Sequence, residues 1–436
     1  MHNKQKKIFG WAPSMMVEIL RSIVAPVASL IILVMGNGLF LTYVTVRLRL
    51  EGYGTEIIGL ITAAYYAGLF FGSIRSLRLI ERIGHIRSFA TFASLTAVLV
   101  MFQAFFVNAW VWLVLRFLGG IFMAGLFITI ESWLLVRSTI DTRGQVLSIY
   151  MTAFYAAQGA GQFLLDLSDP MSLIPFCITV ILSSLSVVPV CMTRTTAPIL
   201  EEPSFLNVFQ LFKISPLGVT GCILAGVILG TVYGLLPIYG QETGLSVSGI
   251  AVLMGVTIFG GLALQWPIGR ISDHIDRRKV LFIVSIITVG LSLLIAIFDN
   301  VFPYLLFVLS FLFGGFSFTL YPLSISHACD HVEPKDIVSA TGGLLLSYGV
   351  GAIIGPLIAP FPMDWFGSRG LFFFFAIFSG ILALFTVARW IKTPPVPEEE
   401  KLPYANVPRT TPISAELDPR SEEGEEERPE DEREGS

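Results

Sequence analysis

Few charged side chains interrupt the long apolar stretches of this 436-residue sequence, and those few indicate what chemistry the interior could perform. Arg116 and Glu131 lie in one apolar stretch, about 111–136. A cation costs at least a few kcal/mol inside an apolar membrane segment, so Arg116 should face an interior. It either contacts an anionic group of a substrate, takes part in proton coupling, or is a structural cation bonded to backbone carbonyls. Glu131 and Asp166 are further candidates for proton coupling. His327 either titrates near neutral pH or is an interfacial cap, and a uniporter remains open.

The sequence lacks the residue patterns that are characteristic of enzymes and of ATP-driven pumps. Nucleophile, base and orienting group do not cluster as an enzyme requires, and no Walker-type phosphate loop occurs, so we expect neither an enzyme nor direct ATP drive. We expect no cofactor other than a coupled proton, and no metal site. The four cysteines (Cys177, Cys191, Cys222 and Cys329) lack CxxC or ligand spacing and are predicted to be small buried hydrophobes.

Net charge also argues against a nucleic-acid partner. The formal charge of -4 is the sum of +5 in residues 1–392 and -9 in the tail that starts at Thr393. The body has no charged face broad enough to follow phosphates, so nucleic-acid binding is not expected. The tail begins with a proline-rich stretch and ends in a Glu-rich run, a composition that predicts disorder. It either keeps the protein soluble, tethers a partner, or lies on basic loops.

The elements that position the interior residues are membrane-spanning helices. Residues are 54% hydrophobic and only 14% charged, against roughly a quarter charged in a soluble domain. A bilayer core about 30 Å thick needs roughly 20 mostly apolar helical residues. Twelve stretches meet this need: 22–46, 57–74, 88–115, 111–136, 144–165, 170–193, 214–241, 243–269, 280–298, 300–326, 337–363 and 370–388. The predicted fold class is an all-α membrane protein with twelve transmembrane helices and a disordered C-terminal tail.

Basic residues predict the orientation of these spans. With the N-terminus inside, 19 Lys and Arg fall on the cytoplasmic side before the tail, and three (Arg47, Arg49 and Arg369) fall outside. Positive loops tend to stay cytoplasmic, so both termini are predicted to face the cytoplasm. No cleaved signal peptide is apparent, and the lack of large outer loops fits a multi-pass protein of a bacterial inner (plasma) membrane.

The spans divide into two similar halves. A loop at 194–216 separates residues 1–193 from residues 217–392, with six spans in each half, and residues 393–436 form the acidic tail. Shifting the first half by about 195 residues brings Gly119-Gly120 onto Gly314-Gly315 and Asp141 onto Asp336. These matches indicate an internal duplication.

Several motifs resemble those of the major facilitator superfamily. Gly269–Lys279 is similar to that family's loop motif, a Gly followed four residues later by an Asp and then by a basic pair. Its first-half counterpart, Leu77–Arg87, departs from the motif at the Gly and Asp positions. Arg116–Gly120 resembles the fourth-helix pattern, and Gly351–Pro356 resembles the antiporter signature. The resemblance implies two six-helix bundles that rock about a central site, exposing it alternately to either side, in a protein that is a monomer.

The resemblance also implies a gate on the cytoplasmic side. Glu131 lies within reach of a loop that contains Arg75, Arg78 and Arg82, so we expect an ion pair that holds this side closed; a merely interfacial carboxylate is the alternative. The second-half loop supplies a comparable set. The gating candidates are Arg75, Arg82, Glu131, Asp273, Arg277 and Arg278.

Polar residues within the apolar spans are candidates for the walls of the substrate cavity. They are Asn37, Tyr65, Tyr66, Arg116, Tyr155, Gln158, Tyr233, Gln265 and Tyr348. An interhelical hydrogen bond or an interfacial aromatic is the alternative for each.

These observations favour a secondary active transporter that moves a small organic molecule by alternating access, with proton-coupled efflux as one form. An apolar or weakly charged substrate is favoured over a sugar. The alternative is a receptor or scaffold that does not transport and acts through its acidic tail. The expected partners are the substrate and the lipid bilayer.

Overall fold

The computed structural model describes residues 13–139, 142–193, 206–298, 303–392, 396–397, 400–418 and 420, with side chains of the first helix described from Ile23. In the first half the helices are α1 (Pro13–Leu50), α2 (Thr55–Ile83), α3 (His85–Phe105), α4 (Ala109–Arg137), α5 (Arg143–Gln162), α6 (Ile174–Leu185) and α7 (Val187–Cys191). A short α8 (Val208–Ile214) leads into the second half, with α9 (Pro216–Glu242), α10 (Val247–His274), α11 (Arg277–Phe298), α12 (Pro303–Ser317), α13 (Leu320–Cys329), α14 (Ile337–Ile358), α15 (Pro360–Phe366) and α16 (Arg369–Lys392). The described residues include no β-strand.

Local sequence explains where helices begin. Asn108 accepts hydrogen bonds from the backbone N–H groups of Trp110 and Val111 at the start of α4, and Ser246 accepts one from Gly249 at the start of α10. These side chains satisfy N–H groups that a helix cannot satisfy by itself.

All twelve predicted spans are helical, and the prediction is confirmed. Within the described residues, eleven helical segments are long and apolar enough to cross a membrane, counting α6 with α7, α12 with α13 and α14 with α15. The remaining span is α5, which contains the glutamines Gln145, Gln158 and Gln162 and continues as a 3-10 helix, Phe163–Leu167. This span packs against α1 of its own bundle and α10 of the other.

The two halves pack by the same plan. In the first, α2 packs on α4 and α1 on α5; in the second, α10 packs on α12 and α9 on α14. The α2–α4 contact and its counterpart, the α10–α12 contact, are both close backbone approaches at a glycine. A Cβ on Gly120 would lie 2.2 Å from the Tyr65 carbonyl oxygen, and a Cβ on Gly314 would lie 1.9 Å from the Thr257 carbonyl oxygen. Such small residues let membrane helices approach closely. The second match that indicates duplication pairs Asp141 with Asp336, and Asp141 lies outside the described residues.

Two bundles meet along a shared interface. Helix α2 packs against α14, α5 against α10, and α1 against α9. The ends of α2, α4 and α10 and the starts of α11 and α14 lie on the side that we call the basic side, and the ends of α1 and α9 lie on the opposite side.

The tail departs from the sequence prediction over residues 400–418 and 420. This part, which we call the tail segment, lies between the bundles, and its 3-10 helix Pro412–Leu417 packs against α4, α5 and α14. Eleven of its residues, from Ala405 to Arg420, are buried. These residues are ordered because their apolar side chains find a surface between the bundles. Residues 421–436, which hold the Glu-rich run, and most of the 194–216 loop lie outside the described residues.

The four cysteines are free, but only two match the expectation of burial. Cys222 and Cys329 are buried, whereas Cys177 and Cys191 are exposed. The exposed pair lies on α6 and α7, whose outward face is apolar and suits contact with lipid.

Candidate functional site

A cavity of about 100 Å³ lies between the two bundles. Its walls come from α1, α2, α4 and α5 on one side and from α9 and α14 on the other, and Pro408, Arg409 and Thr410 of the tail segment close it on the basic side. Seven of the nine predicted cavity residues line it: Asn37, Tyr65, Tyr66, Tyr155, Gln158, Tyr233 and Tyr348.

Hydrogen bonds connect several of these side chains and leave one acceptor free. The Tyr65 hydroxyl donates to Asn37 Oδ1 at 3.2 Å. Gln265 does not line the cavity, but its Nε2 donates to the Tyr155 hydroxyl at 2.9 Å and so fixes that ring from behind. Gln158 is 2% exposed, and its Oε1 has no hydrogen-bond partner among the described residues. The cavity therefore offers an amide oxygen to a donor.

Arg116 lies apart from the central cavity. It lines a second, smaller cavity of about 30 Å³ inside the first bundle, together with Gln103 and Thr96. Its guanidinium carbon stands 4.2 Å from the Tyr65 ring centroid and 5.4 Å from that of Phe40. Arg116 thus touches the back of a ring whose other face belongs to the central cavity, and it does not itself line that cavity.

Glu131 is fully buried and is bonded by hydroxyl groups. The Tyr150 hydroxyl donates to its Oε1 at 2.7 Å, and Thr410 and Thr411 of the tail segment donate to its two oxygens. No arginine of the described chain pairs with it. Because α4 turns this carboxylate toward the space between the bundles, the predicted ion pair with the α2 arginines is not formed here.

Arg75 and Arg82 lie at the exposed end of α2. Within the part of the chain that the structure describes, neither makes an ion pair. The expected ion pair of Arg75 or Arg82 with Glu131 is not formed in this conformation, since these exposed side chains do not reach a fully buried carboxylate.

The second-half gating candidates are paired within their own bundle and with the tail segment. Arg277 lies 3.3 Å from both Asp273 and Asp330, and Arg278 lies 2.8 Å from Asp276. Asp273 accepts the backbone N–H of Tyr404 at 2.8 Å, and Asp330 accepts that of Leu402 at 3.1 Å. Asp273 of the Gly269–Lys279 motif and Asp330 thus hold the backbone of the tail segment.

Asp330 and Asp276 lie outside the spans, and their surroundings shift the pKa of each carboxyl. Burial raises the pKa of the Asp330 carboxyl, although Arg277 and the Leu402 N–H oppose the increase. Burial also acts to raise the pKa of Asp276, but the hydrogen bonds and charge of Arg278 outweigh it and hold that pKa below its ordinary value.

The opposite side is closed by contacts between the bundles themselves. Arg49 at the end of α1 pairs with Glu242 at the end of α9 at 2.9 Å. Gln241 Nε2 donates to the Val46 carbonyl oxygen at 3.3 Å, and Ser248 of α10 bonds Asp166. The cavity is therefore shut on this side by direct contact.

The other candidates for proton coupling lie away from the central cavity. Asp166 belongs to the closed opposite side. His327 is near the end of α13 in the second bundle, where its ring centroid lies 4.7 Å from that of His331. Glu131 lies between the bundles, and its hydrogen-bond partner Thr410 lines the cavity.

Sequence reasoning missed the contribution of Arg49, of Glu242 and of the tail residues Arg409–Thr411. Arg49 had one signal, since it is among the three basic residues assigned to the outer side. The tail residues had another: Arg409-Thr410-Thr411 lies in a stretch that is far less acidic than the end of the tail.

Comparison with known proteins places this arrangement in a family. Residues 27–261 and 218–420 match the model of the Major Facilitator Superfamily in two overlapping stretches. An uncharacterized MFS-type transporter, YcaD of Escherichia coli O6:K15:H31 (strain 536), is 30% identical over 378 residues, which cover 86% of this chain and 97% of the relative. An uncharacterized MFS-type transporter of Enterobacter sp. (strain 638) is 30% identical over 360 residues, 82% of this chain and 92% of the relative.

Solved structures share the fold at low sequence identity. The crystal structure of the nucleoside transporter NupG has a TM-score of 0.74 and 15% identity, and the similarity covers 85% of this chain and 99% of that one. The human organic anion transporter MFSD10 has a TM-score of 0.59 and 16% identity, covering 86% and 99%. The two-bundle architecture, the sequence match over nearly the whole chain and these neighbours together establish that the chain belongs to the major facilitator superfamily of multi-pass membrane transporters.

Proposed function

We propose that this protein moves a small organic molecule across the membrane by alternating access. One observation carries the proposal: a cavity lined by both bundles is shut on one side by direct contact between the bundles and on the other by the tail segment. Rocking of two bundles about such a cavity exposes it to each side in turn.

Proton-coupled efflux is the form of transport that we favour, and Glu131 is the group proposed to carry the proton. Its partners are hydroxyls, which can donate to a carboxylate or accept from a carboxylic acid, so both protonation states can be bonded in the same place. We further propose that the protein acts as a monomer in a bacterial inner membrane, with both termini in the cytoplasm. The chemistry needs no cofactor beyond the proton, no enzymatic step and no nucleic-acid partner.

The alternative, a receptor or scaffold that acts through its tail, is less well supported. Such a role needs the tail to be accessible to a partner, whereas residues 400–418 and 420 are packed between the bundles. The buried position of this segment favours a role inside the transport cycle.

Distance measurements between spin labels test alternating access. In the full chain with its four cysteines replaced, one pair of labels at Leu50 and Ser246 reports on the opposite side, and a second pair at Glu81 and Lys335 reports on the basic side. We expect the first distance to lengthen in the same conditions in which the second shortens, and Glu131→Gln, which mimics the protonated acid, to shift the populations relative to the parent at pH 8. If both distances stay fixed across pH 5 to 8 and in Glu131→Gln, alternating access is wrong for this protein.

A further inference from the structure

An aromatic cage surrounds a cation in the central cavity. The guanidinium carbon of Arg409 lies 4.9 Å from the ring centroid of Phe318, 5.5 Å from that of Tyr155 and 5.9 Å from that of Tyr348. Phe318 is positioned by the break between α12 and α13, which ends one helix just before it. Rings arranged in this way attract a desolvated cation through their faces.

Acceptors without a cationic partner lie beside this cage. Glu131 is fully buried, and two of its three hydrogen-bond partners, Thr410 and Thr411, belong to the tail segment. The Oε1 atom of Gln158 lines the cavity without a partner among the described residues. If the tail segment left, the buried Glu131 carboxylate would keep only the Tyr150 hydroxyl as a donor, and a cation is the group that best compensates it.

Arg409 occupies the cage, but one of its own hydrogen-bond donors has no partner in the described chain. Its Nη2 donates to the Tyr155 hydroxyl, but its Nη1 has no partner in the described chain. The empty space beside it is about 100 Å³, below the 300 Å³ or so at which pockets begin to hold drug-sized molecules. The tail segment therefore fills a place that a larger molecule would need.

The tail segment is attached to the second bundle by contacts before and after Arg409. Before it, the N–H groups of Leu402 and Tyr404 bond Asp330 and Asp273; after it, Arg420 bonds Asp418 at 2.5 Å and Ser326 at 3.1 Å. These anchors belong to the second bundle or to the segment itself. Arg409–Thr411 between them reaches the first bundle at Tyr155 and Glu131.

We propose that the central cavity is a binding site for an organic monocation, and that the tail segment competes with this ligand by placing the Arg409 guanidinium where the ligand's cation binds. The proposal rests on the proposed transport function. It adds that the substrate is positively charged, and that the tail segment of the same chain occupies the site when the substrate is not bound. Displacement of the tail segment is then a step that must precede binding.

Two ions of one shape and opposite charge test the charge preference. Tetraphenylphosphonium and tetraphenylborate are measured for equilibrium binding to the purified full chain in nanodiscs, with Arg409→Gln as the variant that weakens the competitor. Loss of several cation–π contacts should tighten tetraphenylphosphonium binding about tenfold, equivalent to about 1.4 kcal/mol. Tetraphenylborate should bind this variant at least about tenfold more weakly than tetraphenylphosphonium does.

Two further variants separate the site from general effects of charge. Lys401→Gln removes the same charge from a partly exposed tail residue whose side chain bonds the Ile275 carbonyl oxygen, and should leave binding within about twofold of the parent. Glu131→Gln added to Arg409→Gln should weaken tetraphenylphosphonium binding about tenfold relative to Arg409→Gln alone. Size-exclusion profiles matching the parent confirm that the variants are folded.

Equal binding of the two ions to Arg409→Gln, no binding of tetraphenylphosphonium, or an affinity unaffected by Arg409→Gln would each overturn the proposal. These failures differ from failure of the proposed function. A neutral or anionic compound that binds and shifts the spin-label distances leaves alternating access standing and removes only the cation site, whereas fixed distances remove alternating access itself.

Discussion

The two ends of the interface between the bundles are closed by different means. On the opposite side the bundles touch each other, through Arg49 and Glu242 and through Gln241 and the Val46 carbonyl. On the basic side the bundles are bridged by a third element, the tail segment, which bonds Glu131 of one bundle and Asp273 of the other. The first closure can open only if the bundles move, whereas the second can open by departure of the tail segment alone.

The largest effect is expected where the tail segment bonds the buried carboxylate. Thr410→Val with Thr411→Val removes two hydroxyl donors to Glu131, worth about 3 kcal/mol together, or on the order of a hundredfold in the population of released tail. Limited trypsin digestion after Arg409 measures that population, because a buried site is cut only when the segment opens.

Thr386→Val is the matched control, since that hydroxyl bonds the Leu382 carbonyl of its own helix. Its cleavage rate should equal that of the parent. Unchanged cleavage in the Thr410/Thr411 variant would mean that the hydroxyl bonds do not hold the tail segment.

A smaller effect is expected from a side chain added where the bundles touch. A Cβ on Gly59 of α2 would lie 2.2 Å from the Pro356 carbonyl oxygen of α14, so Gly59→Leu should destabilise this contact by about 1–3 kcal/mol. The Leu50–Ser246 distance should lengthen, while trypsin digestion of the tail segment should change less than in the threonine variant. Gly290→Leu, at a glycine with open space around it on α11, is the control and should leave both measurements unchanged. A Leu50–Ser246 distance equal to the parent's in Gly59→Leu would show that α2 and α14 do not set this closure.

The smallest effect belongs to the ion pair on the opposite side. Arg49 and Glu242 are partly exposed, so Arg49→Gln should weaken the closure by about 0.2–1 kcal/mol, and 0.5 M salt should largely mask the difference. The population of long Leu50–Ser246 distances measures it. A salt-insensitive shift would assign the effect to packing instead of charge.

The sequence predicts the helices and much of the cavity because both depend on local patterns. Apolar length alone identifies twelve spans, and a polar or aromatic residue inside such a span has few places to go other than an interior, which is where Asn37, Tyr155 and Tyr233 lie. The closures depend on pairs distant in sequence. Arg49 and Glu242 are 193 residues apart, and Thr410 lies 279 residues from Glu131, so no local pattern joins them.

The overall composition of the tail averages two unlike parts. The acidic residues concentrate in 421–436, whereas residues 401–420 hold three basic and two acidic side chains together with Leu402, Tyr404, Val407, Ile413 and Leu417. Averaged together, the two parts resemble a disordered acidic appendage. Separated, the first has enough apolar surface to be buried against the bundles.

The position of the tail segment in the chain has a consequence for biosynthesis. Residues 400–420 follow both bundles, so they leave the ribosome after both bundles, and at about 5–20 residues per second the stretch 393–420 takes a few seconds to appear. Each new molecule therefore passes through an interval in which twelve helices are inserted and the cavity is still vacant. Any cellular compound that fits the cavity meets the nascent transporter before the chain supplies its own occupant.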